Sequence, residues 1–201
     1  MKKELKTKIT REKILYSAME EFGEHGYYAA KINNICKDGI SKGLLYHNYK
    51  DKDQIYLACV KSTFDKIVYY LKKQKIEDDF KKYTSSRLKF FDENKYEARL
   101  FFESIIQPPR ELIKEIELIK KEFNEFNEEI IENILESITL REDVSKNEAK
   151  EYFNLMQNMF NGYFSSPAYS DRDISDIILE HERKLSSMLN YMLYGIAEKR
   201  G

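Results

Sequence analysis

The chain has 201 residues, 42% of them hydrophobic and 34% charged, which suffices for a buried core and excludes a disordered polyelectrolyte. Its formal net charge of −1 hides an uneven division: residues 1–52 carry 11 Lys and Arg against 7 Asp and Glu, and the rest 23 against 28. A basic beginning on an acidic body suits a polyanionic partner for the first part only.

Seven Gly and three Pro leave little room for loops and predict an all-α chain. Six basic residues fall in the first 13 positions (Lys2, Lys3, Lys6, Lys8, Arg11, Lys13), as either a solvated mobile terminus or an arm that tracks phosphates. A first helix is predicted from Thr10, with Ile9 and Ile14 as a hydrophobic staple. Ile14, Leu15, Ala18 and Phe22 form its buried stripe, and Gly26 stops it. Ile32 and Ile35 then lie one turn apart on a second helix. Gly39 supplies the positive φ of a tight turn, and Ser41 caps a third helix that opens on Lys42 and Gly43. Helix, short turn with Gly, then a short helix with a cationic start is the layout of a DNA-reading helix-turn-helix. An ordinary helical hairpin is the plain alternative, but a helix serving only a core need not carry Lys42, Tyr46, His47 and Asn48 together. Asp51, with Gln54 three residues later, starts a long helix over about residues 51–75 and aims Lys52 at an anion.

At these residues the chain resembles the TetR family of bacterial transcriptional regulators. Thr10-Arg-Glu-Lys-Ile-Leu15, Glu21-Phe-Gly-Glu-His-Gly-Tyr27, Ile40-Ser-Lys-Gly43, Leu45-Tyr-His47 and Lys50-Asp-Lys52 stand in that family's order and spacing. The likeness is close over about the first quarter of the chain. It departs in having Ala29-Ala30-Lys31 where a Thr or Ser usually precedes the second helix, Leu44 for a usual Thr, and Asn48 for a usual aromatic. The interval from Ile35 to Gly39 is one residue shorter than usual. The resemblance implies a helix-turn-helix domain over residues 1–52 and a helical effector-binding and dimerisation domain over residues 53–201, linked by the helix from residue 51 to 75. It implies a homodimeric, ligand-responsive regulator, a repressor first, on a palindromic operator. The expected DNA-facing set is Lys31, Ser41, Lys42, Gly43, Leu44, Tyr46, His47 and Lys52. Lys42 and His47 would meet bases or phosphates, Leu44 a thymine methyl, and Tyr46 and Lys52 phosphates.

Further helices are predicted over about residues 77–93, 97–106, 110–138, 145–165 and 172–197, with Pro108-Pro109 as a break and Ser145 with Glu148 as a capping box. Tyr152, Phe153, Met156, Met159, Phe160, Tyr163 and Phe164, with the apolar set of the last helix, exceed what one packed face requires. The last two helices are therefore expected to join two copies. Phe90, Phe101, Phe102, Phe123, Phe126, Tyr152, Met156 and Phe160 are the candidate lining for a small apolar or amphipathic effector, against core filling as the simpler role.

Cys36 and Cys59 match neither a zinc nor a disulfide spacing and read as small buried hydrophobes in a reducing compartment. No apolar signal-peptide core follows the first lysines, and no run reaches the roughly 18 apolar residues of a membrane span, so a cytoplasmic protein without a membrane partner is expected. His25, His47 and His181 lie far apart, and no phosphate loop, nucleophile elbow or helical Glu-x-x-His pair occurs. Neither catalysis nor a cofactor or metal is expected, and His181 is expected at a surface or interface. A helical protein–protein interaction module and a small helical enzyme are the rival readings.

Overall fold

The computed structural model describes residues 2–37, 39–169 and 172–196, with the side chains of residues 2–6 and 195–196 left out. Lys2, Lys3 and Lys6 of the basic start therefore lie outside the described side chains. Among the described residues the secondary structure is helical: α1 (Lys2–Ala29), α2 (Ile32–Ile35), α3 (Lys42–Asn48), α4 (Lys52–Lys73), α5 (Phe80–Glu93), α6 (Lys95–Ile106), α7 (Ile113–Ser137), α8 (Lys146–Phe164) and α9 (Ile174–Ile196). Short 3₁₀ turns cover Arg110–Leu112 and Pro167–Tyr169.

The helix ends follow local chemistry, with two corrections. The Ser145–Glu148 capping box forms in both directions. The predicted start near residue 77 moves to Phe80, because Asp79 is the residue whose carboxylate accepts the Lys82 N–H, at 2.9 Å. Thr10 is not a helix start: α1 already runs from Lys2, and Ile9, 56% exposed, sits inside it rather than stapling it. Lys-Lys-Glu-Leu-Lys is a run of good helix formers, so nothing upstream breaks the helix for Thr10 to restart. Gly26 does interrupt α1, at φ 72° and ψ 177°.

Packing divides the chain into two units that are not sequential halves. One comprises Met1–Phe64 with Asn94–Lys120, the other Asp65–Glu93 with Lys121–Gly201. Helices α4 and α7 each contribute residues to both. The first unit is larger than residues 1–52 because α6 packs along α1: a Cβ on Gly23 would lie 2.5 Å from that of Tyr96. Its core joins Ile14, Ala18 and Phe22 of α1 to Ile35, Leu45, Ile55, Tyr56, Leu100, Phe101 and Phe102.

The second unit packs α5 against α9 and α8 against α9. Its apolar core (Phe90, Phe91, Phe123, Phe126, Ile130, Phe153, Phe164, Ile177, Leu185) contains a buried ionic network. Arg87 donates to both oxygens of Glu182, at 2.8 and 3.2 Å, and to the Tyr83 hydroxyl at 3.2 Å. Tyr83 in turn donates to Asn127 at 2.7 Å. His181 lies 3.2 Å from Glu182 through Nδ1 and 3.1 Å from Asn161 through Nε2. The rings of Tyr83, Phe91 and Phe123 surround the guanidinium. Burial raises the Glu182 carboxyl, but Arg87 and the hydrogen bonds from His181 and Arg87 outweigh it and hold the pKa at about 2. Burial keeps the His181 pKa below its ordinary value despite Glu182, and Arg87 adds to the lowering. His181 is thus not the surface or interface residue expected. It is 2% exposed, because α9 turns His181 and Glu182 inward while Glu180 points out to Arg172 and Lys184.

Candidate nucleic-acid interface

The helix-turn-helix is assembled from short-range contacts. Helix α2 is a single turn; the Lys37 N–H then returns to the Ile35 carbonyl and the Ile40 N–H to that of Lys37. Gly39 takes φ +83°, as the tight turn requires. The Ser41 hydroxyl accepts the Leu44 N–H at 3.1 Å and starts α3. On this seven-residue helix Leu45 and Asn48 face the core, while Lys42, Gly43, Tyr46 and His47 are exposed and Leu44 is half-buried. Lys31 and Ser41 are exposed as well. Six of the eight expected DNA-facing residues are therefore open to solvent, and Leu44 is partly so.

Both ends of α3 are held. Asn48, buried where the resembled family has an aromatic, donates its side-chain amide to the Leu44 carbonyl at 2.9 Å. Arg11 donates to the Asn48 carbonyl at 3.2 Å and lies over the Tyr49 ring, which places a cation at the helix C-terminus. Next, the Asp51 carboxylate accepts the Gln54 N–H and Gln54 accepts the Lys50 N–H, a capping box reaching one residue further back than usual.

Lys52 is placed differently from the rest. It is half-buried, over the Tyr27 ring, with its ammonium donating to the Tyr28 carbonyl at 3.4 Å. It belongs to a frame at the end of α1 in which Tyr27 donates to Asp53 and Tyr56 donates to Glu103. Glu103 also accepts the Tyr27 N–H at 3.0 Å, where Gly26 bends the chain. Burial pushes the Glu103 carboxyl above its ordinary value, despite those donors. It pushes the Tyr27 and Tyr56 hydroxyls up too, reinforced by Asp53 and Glu103 respectively. Sequence reading set Arg11 in a mobile terminus or a phosphate-tracking arm and did not single out Glu103, since no local pattern marks a side chain whose partner is 37 or 76 residues away.

The effector candidates are divided between the two units. Phe101 and Phe102 are fully buried in the first unit, where Phe101 packs on Phe64 with ring centroids 5.0 Å apart. Phe90, Phe123, Phe126, Tyr152, Met156 and Phe160 belong to the second unit. There Phe160 rests against Phe164 and His181. Of the expected association face, Phe153 and Phe164 are core, Tyr152, Met156 and Phe160 are half-buried, and Met159 and Tyr163 are 58% and 50% exposed. Among the described residues no group of three His, Cys, Asp or Glu side chains is placed to hold a metal ion, and no helix is long and apolar enough to cross a membrane.

Residues 14–59 match the family model described as bacterial regulatory proteins, tetR family. The HTH-type transcriptional regulator UidR of Escherichia coli K12 is 40% identical over 52 residues, 25% of this chain and 26% of that protein. The HTH-type transcriptional activator FasR of Mycolicibacterium smegmatis is 36% identical over 59 residues, 29% of this chain and 27% of that one. The chain thus spans about a quarter of the length of these curated relatives. Across nearly the whole chain the fold is that of solved regulators. A transcriptional regulator FadR from Bacillus subtilis, in complex with stearoyl-CoA, has a TM-score of 0.65 at 17% identity over 92% of this chain and 98% of its own. A TetR-family regulator from Pectobacterium atrosepticum has 0.64 at 15%, over 98% of both.

Proposed function

We propose, from an N-terminal domain that belongs to the TetR family of bacterial regulators, that this protein is a DNA-binding transcriptional regulator acting as a homodimer on a palindromic operator. The observation that carries this reading is Gly43. It lies in the first turn of α3, its nearest neighbour would be 3.9 Å from an added Cβ, and so nothing in the protein excludes a side chain there. Glycine in a helix costs roughly 0.5–1 kcal/mol relative to Ala, which the fold alone gives no reason to accept. A bare backbone beside exposed Lys42, Tyr46 and His47 instead suits close approach to the edges and phosphates of a duplex. Lys42 and His47 are assigned to bases or phosphates, Leu44 to a thymine methyl, and Lys31, Tyr46 and the remaining donors of Lys52 to phosphates.

One seven-residue helix reads few base pairs, so two copies on a twofold site are needed for useful specificity. The exposed stripe Leu155, Met159 and Tyr163 on α8, with Leu179, Tyr191 and Tyr194 on α9, supports pairing through the last two helices. Gly162 has nothing within 4 Å of an added Cβ and leaves room there for a partner helix. A small amphipathic effector held by the second unit, among Phe90, Phe123, Phe126, Tyr152, Met156 and Phe160, would change operator affinity through α4. Repression is the assigned sign.

Fluorescence anisotropy with duplexes from the DNA flanking the gene, at two salt concentrations, tests this. One duplex is expected to bind more tightly than a scrambled one by about a thousandfold or more, at or above the lower end of the usual specific-to-non-specific range of about 10³–10⁷. No salt-dependent binding would leave a helical interaction module as the better account, and equal, purely salt-driven binding of all duplexes would remove operator recognition.

A further inference from the structure

Helix α2 is one turn long, with the Cys36 N–H returning to the Ile32 carbonyl. A single turn closes too few hydrogen bonds to offset its ordering, so such a helix needs outside support. Its own N-cap supplies none, because the Lys31 side chain makes no capping hydrogen bond. Helix α1 supplies a different anchor. One Glu21 carboxylate oxygen accepts the Lys31 N–H at 2.8 Å and the Asn34 side-chain amide at 3.1 Å. One turn earlier on the same face of α1, the Ser17 hydroxyl donates to the Ile35 carbonyl at 3.0 Å. Both side chains are almost fully buried, at 4% exposure for Ser17 and 7% for Glu21. Spacing of four places them on one helix face, as far apart as the two ends of a single turn.

We infer that Ser17 and Glu21 are positioning residues for DNA reading: a two-point splint on α1 that grips both ends of α2 and so sets where α3 leaves the turn. Neither needs to touch DNA. The splint explains how a turn shortened before Gly39, with Ala30 and Lys31 in place of a capping side chain, still delivers an ordered recognition helix. Lys37, in ion contact with Glu20 at 2.9 Å, ties the turn itself to α1. The His25 ring lies 3.8 Å from both Glu21 and Glu24.

This inference rests on the DNA-binding reading, and its test separates the two. Full-length wild type, Ser17→Ala, Glu21→Ala and Glu21→Gln are compared in two measurements, at a temperature where circular dichroism shows each to be folded. The first is amide exchange of the free protein. Exchange at residues 31–36 is expected to rise about tenfold or more in Ser17→Ala, which loses one hydrogen bond to α2, and in Glu21→Ala, which loses two, with α4 unchanged. The second is affinity for operator and scrambled duplex. Glu21→Ala is expected to lose about tenfold in the specific-to-non-specific ratio at an unchanged salt slope, because no phosphate contact is removed. Glu21→Gln keeps an oxygen for the Lys31 N–H and is expected to hold the ratio within about threefold. Unchanged exchange in both alanine variants would overturn the splint whatever the DNA result. Faster exchange with an unaltered ratio would overturn the positioning role, and a salt slope lower by one unit would replace it with the disturbance of a neighbouring cation's phosphate contact, since neither Ser17 nor Glu21 carries a positive charge. Wild type without sequence preference would instead sink the DNA-reading premise, with the exchange data still deciding the splint.

Discussion

Replacing Glu182 by Gln is the sharpest probe of the second unit. The substitution keeps the shape of the side chain but removes the charge opposite Arg87, in a place where both partners are at most 4% exposed. It loses one arm of a two-pronged hydrogen bond (2.8 and 3.2 Å) and leaves the guanidinium without the carboxylate charge it faces. Removing one member of a buried ion pair costs about 3–5 kcal/mol, and the surviving amide acceptor places this case near the lower end. At roughly 2–4 °C per kcal/mol for a chain of this size, the melting temperature should fall by about 6–12 °C. Urea unfolding followed by circular dichroism measures the loss directly. The double variant Arg87→Met, Glu182→Leu should recover most of it, since two apolar side chains need no counter-charge. Recovery should be incomplete because His181 also bonds Glu182. The pH dependence has a definite sign. A carboxyl held at about 2, below its ordinary 4.5, contributes stability that is full above pH 4.5 and is lost as pH falls toward 2. His181, also lowered, adds loss as pH falls from its ordinary 6.5, because the unfolded ring takes up the proton first. Glu182→Gln should flatten the lower part of that profile. A single variant that loses less than about 1 kcal/mol, or a double variant worse than the single, would refute the reasoning.

Other outcomes follow from the first unit and the outer helices. Gly43→Ala should raise stability by about 0.5 kcal/mol while lowering operator affinity about tenfold or more, read by melting and anisotropy. Gly26→Ala should destabilise by more than about 1 kcal/mol in urea unfolding, since its φ is +72° and the new Cβ would meet Glu103 Oε1 at 2.8 Å. Lys52→Ala should weaken binding to all duplexes alike and reduce the salt slope by about one unit; an effect confined to one operator position would contradict that role. Met159→Glu should convert a two-chain species to one of 24.0 kDa in sedimentation velocity, and an unchanged mass would move the pairing surface elsewhere.

How far the sequence could be read depended on the reach of each interaction. Ser41, Asp51 and the Ser145–Glu148 box act within one helical turn, and each cap forms where local chemistry places it. The positive φ of Gly39 and a helix break at Gly26 were legible for the same reason. Thr10 misled because a good cap residue marks a start only if the chain before it is not already helical. Phe101 and Phe102, candidates for cavity lining with core filling as the simpler role, are fully buried in the first unit, where α6 packs along α1. His181 looked like a surface residue because neighbouring positions on a helix face different ways, and the sequence does not say which of them faces in.

By itself, the sequence determined the helices, their principal breaks and the exposed cationic start of α3, all set by residues a few positions apart. Only the tertiary structure decided what holds those pieces. Arg87 finds Glu182 across 95 residues, Glu103 reaches the bend after Gly26, and Ser17 and Glu21 grip α2 from α1. Such partners are chosen by where helices cross, and a buried polar group must find one because water is not there to replace it.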